Sequence, residues 1–398
     1  MRMRYLYFIL LIFFSSTLRG QEIYFPKPAK FITQIPFIQL TGGVILLQAR
    51  LNNIETPLNF ILDTGSGAIS LDSATVEEFK IEHIPSGRIV GGIAGMREVD
   101  YALHNSLILP QLRVDSLDFF INDYSILTSV YGIKIDGIIG YSFLRRYIVK
   151  INFDSSYLQV YEPGNIRYPP GGAILRPIFS ALPILRLYAN DQRSIESNFY
   201  FDTGAGLSFL ITSQFEKDSL LLKKNRKPVY IQVQGLGGKK QMRLTIINNL
   251  QIGPYKFRRV PTNILDDEFN VISYPSVGGL IGNDILRRFN IILNYPQRQI
   301  HLLPNSHFKD NFDYSYTGMS MYYIEKEGKI YVDEIIKGSP ADKAGIKKDD
   351  VVVGINYNFS NDINIYKNLL SDVGSNVMII ILRGETSHII SMRVGRIH

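Results

Sequence analysis

An internal repeat constrains the fold of this chain more than any other feature. Residues 59–67 read NFILDTGSG and residues 198–206 read NFYFDTGAG, so that Asp63 and Asp202 lie 139 positions apart. Each copy is a short apolar run followed by an aspartate and a glycine-containing turn. Such runs, rich in Ile, Leu, Phe and Tyr, predict β-strands. A pattern that occurs twice at a long spacing predicts two similar folding units.

Two more signatures follow in the same order in each copy. The first is a glycine-rich tip between extended runs, where glycine supplies the positive φ angles of a hairpin tip. The second reads IDGIIG at residues 135–140 and GGLIG at residues 278–282. The tips, which we predict to close over a substrate as flaps, comprise Gly91, Gly92, Ile93 and Gly95 in the first copy and Gly235, Leu236, Gly237 and Gly238 in the second.

A short helix and two strands complete each copy. The helix is expected at residues 141–146 and again at 283–289. The repeat therefore predicts one β-lobe present twice, as lobe 1 (residues 35–163) and lobe 2 (residues 173–304).

The repeat also predicts a chemistry. Hydrolysis of an amide by water needs one group that accepts a proton from the water and another that protonates or polarises the carbonyl. Two carboxylates about 3 Å apart cannot both ionise easily, so one holds a proton while the other is a base. Two lobes related by a pseudo-twofold axis would each supply one aspartate from an equivalent turn. We therefore predict Asp63 and Asp202 as the catalytic pair.

The residues after each aspartate suit the same arrangement. Thr64 and Thr203 can hydrogen-bond across the pseudo-twofold axis and hold the two turns together. Gly65 and Gly204 let the turn backbones approach closely.

With these motifs in place, residues 35–304 resemble the retropepsin-like and pepsin-like aspartic proteases. The resemblance implies a mainly β, bilobal fold of duplicated retropepsin-like barrels, an aspartic-type endopeptidase activity, a water nucleophile, and neither a metal nor an organic cofactor. A flap in each lobe looks more like a fused retropepsin dimer than like pepsin. The residues that it implies as the scaffold of the Asp63/Asp202 dyad are Thr64, Gly65, Ser66, Thr203, Gly204 and Ala205.

The two turns differ at one position, which holds Ser66 in the first and Ala205 in the second. In the related enzymes a hydroxyl at this position can hydrogen-bond the neighbouring aspartate and favour its ionised form. We therefore expect Asp63 to carry more of the negative charge of the pair.

The last part of the chain follows another pattern. Residues 338–352 read GSPADKAGIKKDDVV, a turn, a short helix that begins near Pro340, a glycine stop and a strand. This segment resembles PDZ domains, although Asp349 stands where they usually have glycine. The resemblance implies a PDZ-like C-terminal domain (residues 312–398) that binds a peptide ligand at a loop comprising Gly318, Met319, Ser320 and Met321. The alternative is a domain that only packs on the lobes.

The N-terminus indicates export. Residues 1–20 combine two early arginines, an apolar run and small polar residues, which is typical of a secretory signal peptide. The protein is then periplasmic or secreted; an uncleaved N-terminal membrane anchor is the alternative. The chain has no cysteine, which excludes disulfides and a thiol nucleophile.

The expected partners are polypeptides. The formal net charge of +7 is spread over 398 residues, and the basic cluster at residues 223–227 lacks interleaved aromatic residues, so no nucleic-acid partner is expected. Two lobes in one chain make dimerisation unnecessary, and we expect a monomer. The main alternative to an enzyme is a non-catalytic peptide-binding or scaffolding protein with a retired protease fold.

Overall fold

The structure is a computed structural model that describes residues 27–92, 95–179, 181–235, 238–268, 271–272, 276–312 and 317–395. Its strands form sheets of 13, 8 and 5 strands joined by short helices, which confirms the prediction of a mainly β protein. The expected signal peptide and three flap residues, Ile93, Leu236 and Gly237, lie outside the described residues. Within the described ranges, no helix has the length and apolar character needed to cross a membrane.

The described residues of lobe 1 contain ten strands and three α-helices. The strands are β1 (Phe31–Gln39), β2 (Ile45–Leu51), β3 (Leu58–Leu62), β4 (Ile69–Asp72), β5 (Ile84–Gly92), β6 (Gly95–Leu109), β7 (Leu112–Asn122), β8 (Gly137–Ile139), β9 (Ile148–Asn152) and β10 (Tyr157–Tyr161). The helices are α1 (Ser73–Glu78), α2 (Ser125–Tyr131) and α3 (Tyr141–Leu144).

Lobe 2 follows a similar order from β12 (Ile178–Phe179) onward, although its described residues contain no helix equivalent to α2. Its strands are β11 (Ala173–Leu175), β12 (Ile178–Phe179), β13 (Pro183–Asn190), β14 (Ser194–Phe201), β15 (Phe209–Thr212), β16 (Val229–Gly235), β17 (Gly238–Ile252), β18 (Tyr255–Leu265), β19 (Val277–Ile281), β20 (Phe289–Asn294) and β21 (Gln299–Pro304). Its helices are α4 (Ser213–Ser219) and α5 (Asn283–Leu286).

The second signature of each copy forms the strand beside the aspartate-bearing strand. In lobe 1, β8 runs parallel to β3 and antiparallel to β4; in lobe 2, β19 takes the same place between β14 and β15. Gly137 opens β8 because a side chain there would overlap the Ser70 carbonyl oxygen and the Phe60 ring. The repeated sequence therefore produces a repeated three-strand unit.

The lobes share a sheet away from these units. Strand β20 of lobe 2 pairs antiparallel with β9 of lobe 1, with Ile291 opposite Ile151 and Leu293 opposite Val149. All four side chains are fully buried. Because burying one such side chain contributes about 1.5–3 kcal/mol, this apolar seam holds the lobes in a fixed relation.

The C-terminal domain has its own five-stranded sheet, with strand β22 (Met319–Ile324) at one edge. Ser339 caps helix α6 (Pro340–Lys343) by accepting a hydrogen bond from the Asp342 amide, and Pro340 occupies the first turn. Asp349 has a φ of +66°, in the left-handed region that glycine prefers and that Asp tolerates better than most residues. The elements are β22 (Met319–Ile324), β23 (Lys329–Ile335), α6 (Pro340–Lys343), β24 (Val351–Ile355), α7 (Ile363–Leu369), β25 (Asn376–Arg383) and β26 (Thr386–Arg393).

Candidate active site

Asp63 and Asp202 follow the equivalent strands β3 and β14. The Asp63 amide donates to the Ile139 carbonyl at 3.0 Å, and the Asp202 amide donates to the Ile281 carbonyl at the same distance. Strands β8 and β19 thus hold the two aspartates at equivalent positions in their lobes. The structure brings the two carboxyl groups together between the lobes, within hydrogen-bonding reach of each other.

The two threonines join the turns through four hydrogen bonds. The Thr64 amide donates to Thr203 Oγ1 at 3.1 Å, and the Thr203 amide donates to Thr64 Oγ1 at 3.0 Å. Each hydroxyl then donates to the other lobe: Thr64 to the Phe201 carbonyl at 2.6 Å and Thr203 to the Leu62 carbonyl at 3.0 Å. Because both threonines are fully buried, this reciprocal network sets the distance between the aspartates.

The glycines after the threonines are required by close contact across the axis. A methyl group at Gly65 would overlap the Asp202 carboxyl, and one at Gly204 would overlap the Asp63 carboxyl. Their amides also donate within their own turns, from Gly65 to Asp63 Oδ1 at 2.6 Å and from Gly204 to Asp202 Oδ1 at 2.8 Å. Each aspartate is therefore held by its own turn and covered by the other one.

The carboxyl pair is electrically unequal. Burial raises the pKa of Asp63 well above its ordinary value, and the charge of Asp202 and the hydrogen bond to it raise that pKa further. Burial also raises the pKa of Asp202, but the hydrogen bond from Asp63 and the amides of Gly204 and Ala205 work in the opposite direction. These directions favour a pair that shares one proton, with the proton held more by Asp63 than by Asp202.

This distribution is the reverse of the one expected from Ser66, and the expectation that Asp63 carries more of the negative charge stays a prediction. In lobe 2 the residue at this position, Ala205, has no hydroxyl and contacts the dyad through its backbone. The Ala205 amide donates to Asp202 Oδ1 at 3.0 Å. In both turns the carbonyl of this residue instead accepts from the following helix. Ser66 accepts from the Tyr141 amide at 3.0 Å, and Ala205 accepts from the Asn283 amide at 2.7 Å.

A cavity of about 630 Å³ contains the two aspartates. The first hairpin, β5–β6, lines it with Gly91 and Gly92, and the second, β16–β17, lines it with Ile231 and Gln232. At the tips, Gly95 and Gly238 begin β6 and β17 with φ angles of +155° and +130°, and Gly235 ends β16 opposite Gly238. Apolar lining residues include Leu127, Val130, Ile138, Leu182, Leu207, Val271, Ile272 and Leu280.

Helix α2 adds lining residues that the sequence analysis did not single out. Its Tyr131 lies in the cavity wall, and burial raises the pKa of this phenol, followed by the charges of Asp63 and Asp202. The side chain therefore stays neutral next to the pair. The helix is short and begins without a side-chain cap, so its sequence lacks the N-terminal signal by which a helix is usually predicted.

The loop expected to bind a peptide in the C-terminal domain reaches the same cavity. Gly318, Met319, Ser320 and Met321 line it together with the Asp63/Asp202 pair. Sequence analysis treated these as two separate sites, whereas the structure brings them into one space. Across the described part of the chain, no group of three or more His, Asp or Glu side chains is placed to hold a metal ion.

Comparison with known proteins gives two kinds of similarity. Residues 47–143 and 186–285 each match a family model described as aspartyl protease. The match falls once in each lobe. Each matched segment contains one of the two paired aspartates, so the aspartyl protease similarity covers the three-strand units and the candidate site, and at family level it supports a protease function.

The second similarity is to proteases with another catalytic chemistry. The chain is 39% identical over 64 residues to the periplasmic pH-dependent serine endoprotease DegQ of Escherichia coli (strain K12), which is 16% of this chain and 14% of that protein. It is 33% identical over 60 residues to a probable periplasmic serine endoprotease DegP-like of Chlamydia pneumoniae, 15% of this chain and 12% of that protein. The chain thus spans a small part of these relatives.

Proposed function

We propose that the protein is an aspartic endopeptidase that hydrolyses peptide bonds with a water molecule activated by Asp63 and Asp202. The observation that carries this proposal is the buried pair of carboxyl groups, one from each lobe, whose turns are locked together by Thr64 and Thr203. Two buried carboxyl groups that hold one proton are suited to general acid–base catalysis of amide hydrolysis. The aspartyl protease similarity of both lobes supports it.

We assign one role to each aspartate, guided by the directions of the two pKa shifts. The Asp202 carboxylate accepts a proton from a water molecule held between the two groups, and the water oxygen attacks the substrate carbonyl carbon. At the same time the Asp63 carboxyl gives its proton to the carbonyl oxygen, which forms a neutral tetrahedral gem-diol. Asp202 then passes its proton to the amide nitrogen as the C–N bond breaks. One hydroxyl of the gem-diol returns a proton to Asp63, which restores the starting state.

Polypeptides are the proposed substrates, and the proposed location is outside the cytoplasm. The cavity lies between two β-hairpins that can hold an extended chain by backbone hydrogen bonds while excluding water. An exported location rests on the signal-like N-terminus and on the periplasmic relatives. We propose a monomer, with the C-terminal domain as a PDZ-like unit that takes part in peptide binding.

A fluorogenic peptide library assayed from about pH 3 to 8 tests the proposal. The Asp63→Asn and Asp202→Asn variants should each lose activity by at least about 10³-fold, because each removes one half of the acid–base pair. Asp218→Asn is the matched control, since this carboxylate is exposed on α4. Cleavage that survives both active-site substitutions removes the mechanism. Peptide binding without cleavage by the wild-type protein would instead support a retired protease that serves as a scaffold.

A further inference from the structure

The C-terminal domain is attached to lobe 1 at the end of α2. The Asn364 amide group donates to the Tyr131 carbonyl, and the Lys367 ammonium donates to the Val130 carbonyl, both at 2.7 Å. Both donors lie on α7, and Lys367, Val130 and Tyr131 also line the cavity that contains the aspartates. One side of the domain is therefore fixed to the wall of the cleft.

The other side is attached to the second hairpin of lobe 2. The Lys239 ammonium lies 2.6 Å from a carboxylate oxygen of Asp333, and the backbone amide of Gln232 donates to the Glu334 carboxylate at 2.7 Å. The C-terminal domain thus bridges the cleft, from α2 of lobe 1 to the flap of lobe 2. It forms a third wall of the space in which a substrate must lie.

A segment of lobe 1 fills one end of the groove between β22 and α7. Gly132, which follows α2, lies against the start of α7 and the end of β22: a methyl group on it would be 2.7 Å from Ile363 and 3.7 Å from Tyr323. A separate peptide cannot occupy this half of the groove while lobe 1 is in place.

The other half of the same groove is open to the catalytic cavity. Met319 and Met321 on β22, together with Leu370 at the end of α7, line the cavity of about 630 Å³ that holds Asp63 and Asp202. Strand β22 is an edge strand, which can pair with an extended chain. Thioether side chains adapt to apolar groups of different shapes.

From this continuity we infer that the open half-groove, formed by Met319, Met321 and Leu370, is a specificity subsite for an apolar side chain of the polypeptide bound at the dyad. The inference rests on the proposed peptidase function and extends it. The C-terminal domain is then a part of the catalytic cleft and not a separate binding module. One substrate segment contacts both the dyad and this domain.

Paired peptides test the subsite. Each pair differs by Leu or Ala at one position on either side of the cleaved bond. We expect the wild-type protein to prefer Leu at one position by about 10- to 100-fold in kcat/KM, as a filled apolar pocket does. Met319→Lys should reduce that preference to about threefold or less. Met319→Leu should retain the preference.

Ile389→Lys on β26 is the control, because this apolar side chain is 71% exposed. If Met319→Lys lowers the unfolding temperature, Met319→Gln takes its place as an uncharged polar variant. Retention of the Leu preference in the Met319→Lys or Met319→Gln variant, or an equal loss for every peptide, overturns the inference. Either outcome leaves the proposed function intact as long as cleavage still requires Asp63 and Asp202, whereas a wild-type protein that cleaves nothing overturns the proposed function itself.

Discussion

The Lys239 ammonium lies 2.6 Å from a carboxylate oxygen of Asp333, a residue that is 4% exposed, and so connects the second hairpin to the C-terminal domain. Lys239 also lies over the Tyr322 ring, 5.2 Å from its centre. The second hairpin, which we propose to close over substrate as a flap, is thus held by a charged contact from a different part of the chain. We therefore expect movement of this hairpin to be coupled to movement of the C-terminal domain through Lys239.

Replacing Lys239 by Met should therefore loosen the hairpin more than it destabilises the protein. We expect faster amide hydrogen exchange in β16 and β17. We also expect a decrease in kcat/KM of up to about tenfold, because the hairpin less often adopts the closed position over the substrate. Lys240→Met is the matched control: Lys240 pairs with Glu268, within lobe 2, at 3.0 Å. Equal exchange rates in the two variants would show that the Asp333 contact does not hold the flap.

The Thr64/Thr203 network should be disrupted as one unit when either threonine is replaced. Thr64→Val or Thr203→Val leaves a buried amide without its acceptor and a carbonyl without its donor, which costs about 1–3 kcal/mol per orphaned group. The double variant should cost less than the sum of the single variants, because both changes break one network.

Chemical denaturation and kcat/KM together check this prediction. Thr262→Val serves as the control, because Thr262 is buried but its hydroxyl donates only to the Val260 carbonyl, two residues away on the same strand. Its kcat/KM should stay near that of the wild type. Additive costs for Thr64→Val and Thr203→Val would mean that the two turns are not coupled.

Glycine at the two active-site turns should be indispensable for activity. Gly65→Ala and Gly204→Ala each place a methyl group on the carboxyl of the opposite lobe, so the pair must separate. Since a displacement of about 1 Å can cost about 10²-fold in rate, we expect at least that loss in kcat. Gly67→Ala is the control, because the nearest atom to its added methyl group is 3.9 Å away, on Ala181. An active Gly204→Ala variant would contradict the close packing of the turns.

The elements that the sequence predicted well are those whose sequence pattern occurs in both copies of the repeat. The expected helices at 141–146 and 283–289 are present but end earlier, at Leu144 and Leu286. The strands around the two aspartates follow directly from apolar runs and glycine positions. Local sequence patterns predict these elements, and the second copy of each pattern supports the prediction made from the first.

The remaining features depend on contacts between distant residues. Helix α2 is a seven-residue segment held between lobe 1 and the C-terminal domain, and the bonds of its carbonyls to Asn364 and Lys367 have no local signature. The charge of the dyad also depends on residues that are distant in sequence. Burial and the charge of Asp202 are the largest causes of the raised Asp63 pKa.

The raised pKa of Asp63 predicts how stability changes with pH. Burial is its largest cause, followed by the charge of Asp202. Below the ordinary value of 3.8 the carboxyl is protonated in both the folded and the unfolded state, so it contributes no pH dependence. Above that value the unfolded chain releases the proton while the folded protein keeps it. The folded state then binds more protons, and the free energy of unfolding falls as pH rises through the folded pKa.

Asp63→Asn should remove this decrease in the free energy of unfolding, so that the variant gains stability relative to the wild type as pH rises toward neutrality. Thermal unfolding of both proteins across the pH range measures the difference in stability. Asp191→Asn supplies the opposite sign: burial opposes ionisation there, but hydrogen bonds from Arg226 and the Lys223 amide lower the Asp191 pKa. That variant should lose stability above the ordinary aspartate pKa and approach the wild type in acid. Parallel curves for Asp63→Asn and the wild type would mean that Asp63 is ionised in the folded protein.

The same proton should set the upper pH limit of catalysis. Since the mechanism needs Asp63 protonated and Asp202 ionised, kcat/KM should fall as pH rises through the raised pKa of Asp63. Ser66→Ala should leave this limb in place, because burial and the charge of Asp202 raise the Asp63 pKa. A pH–rate profile for both proteins measures the limb. Activity that keeps rising through neutral pH would require another group to act as the acid, and would separate the catalytic step from the proton held at Asp63.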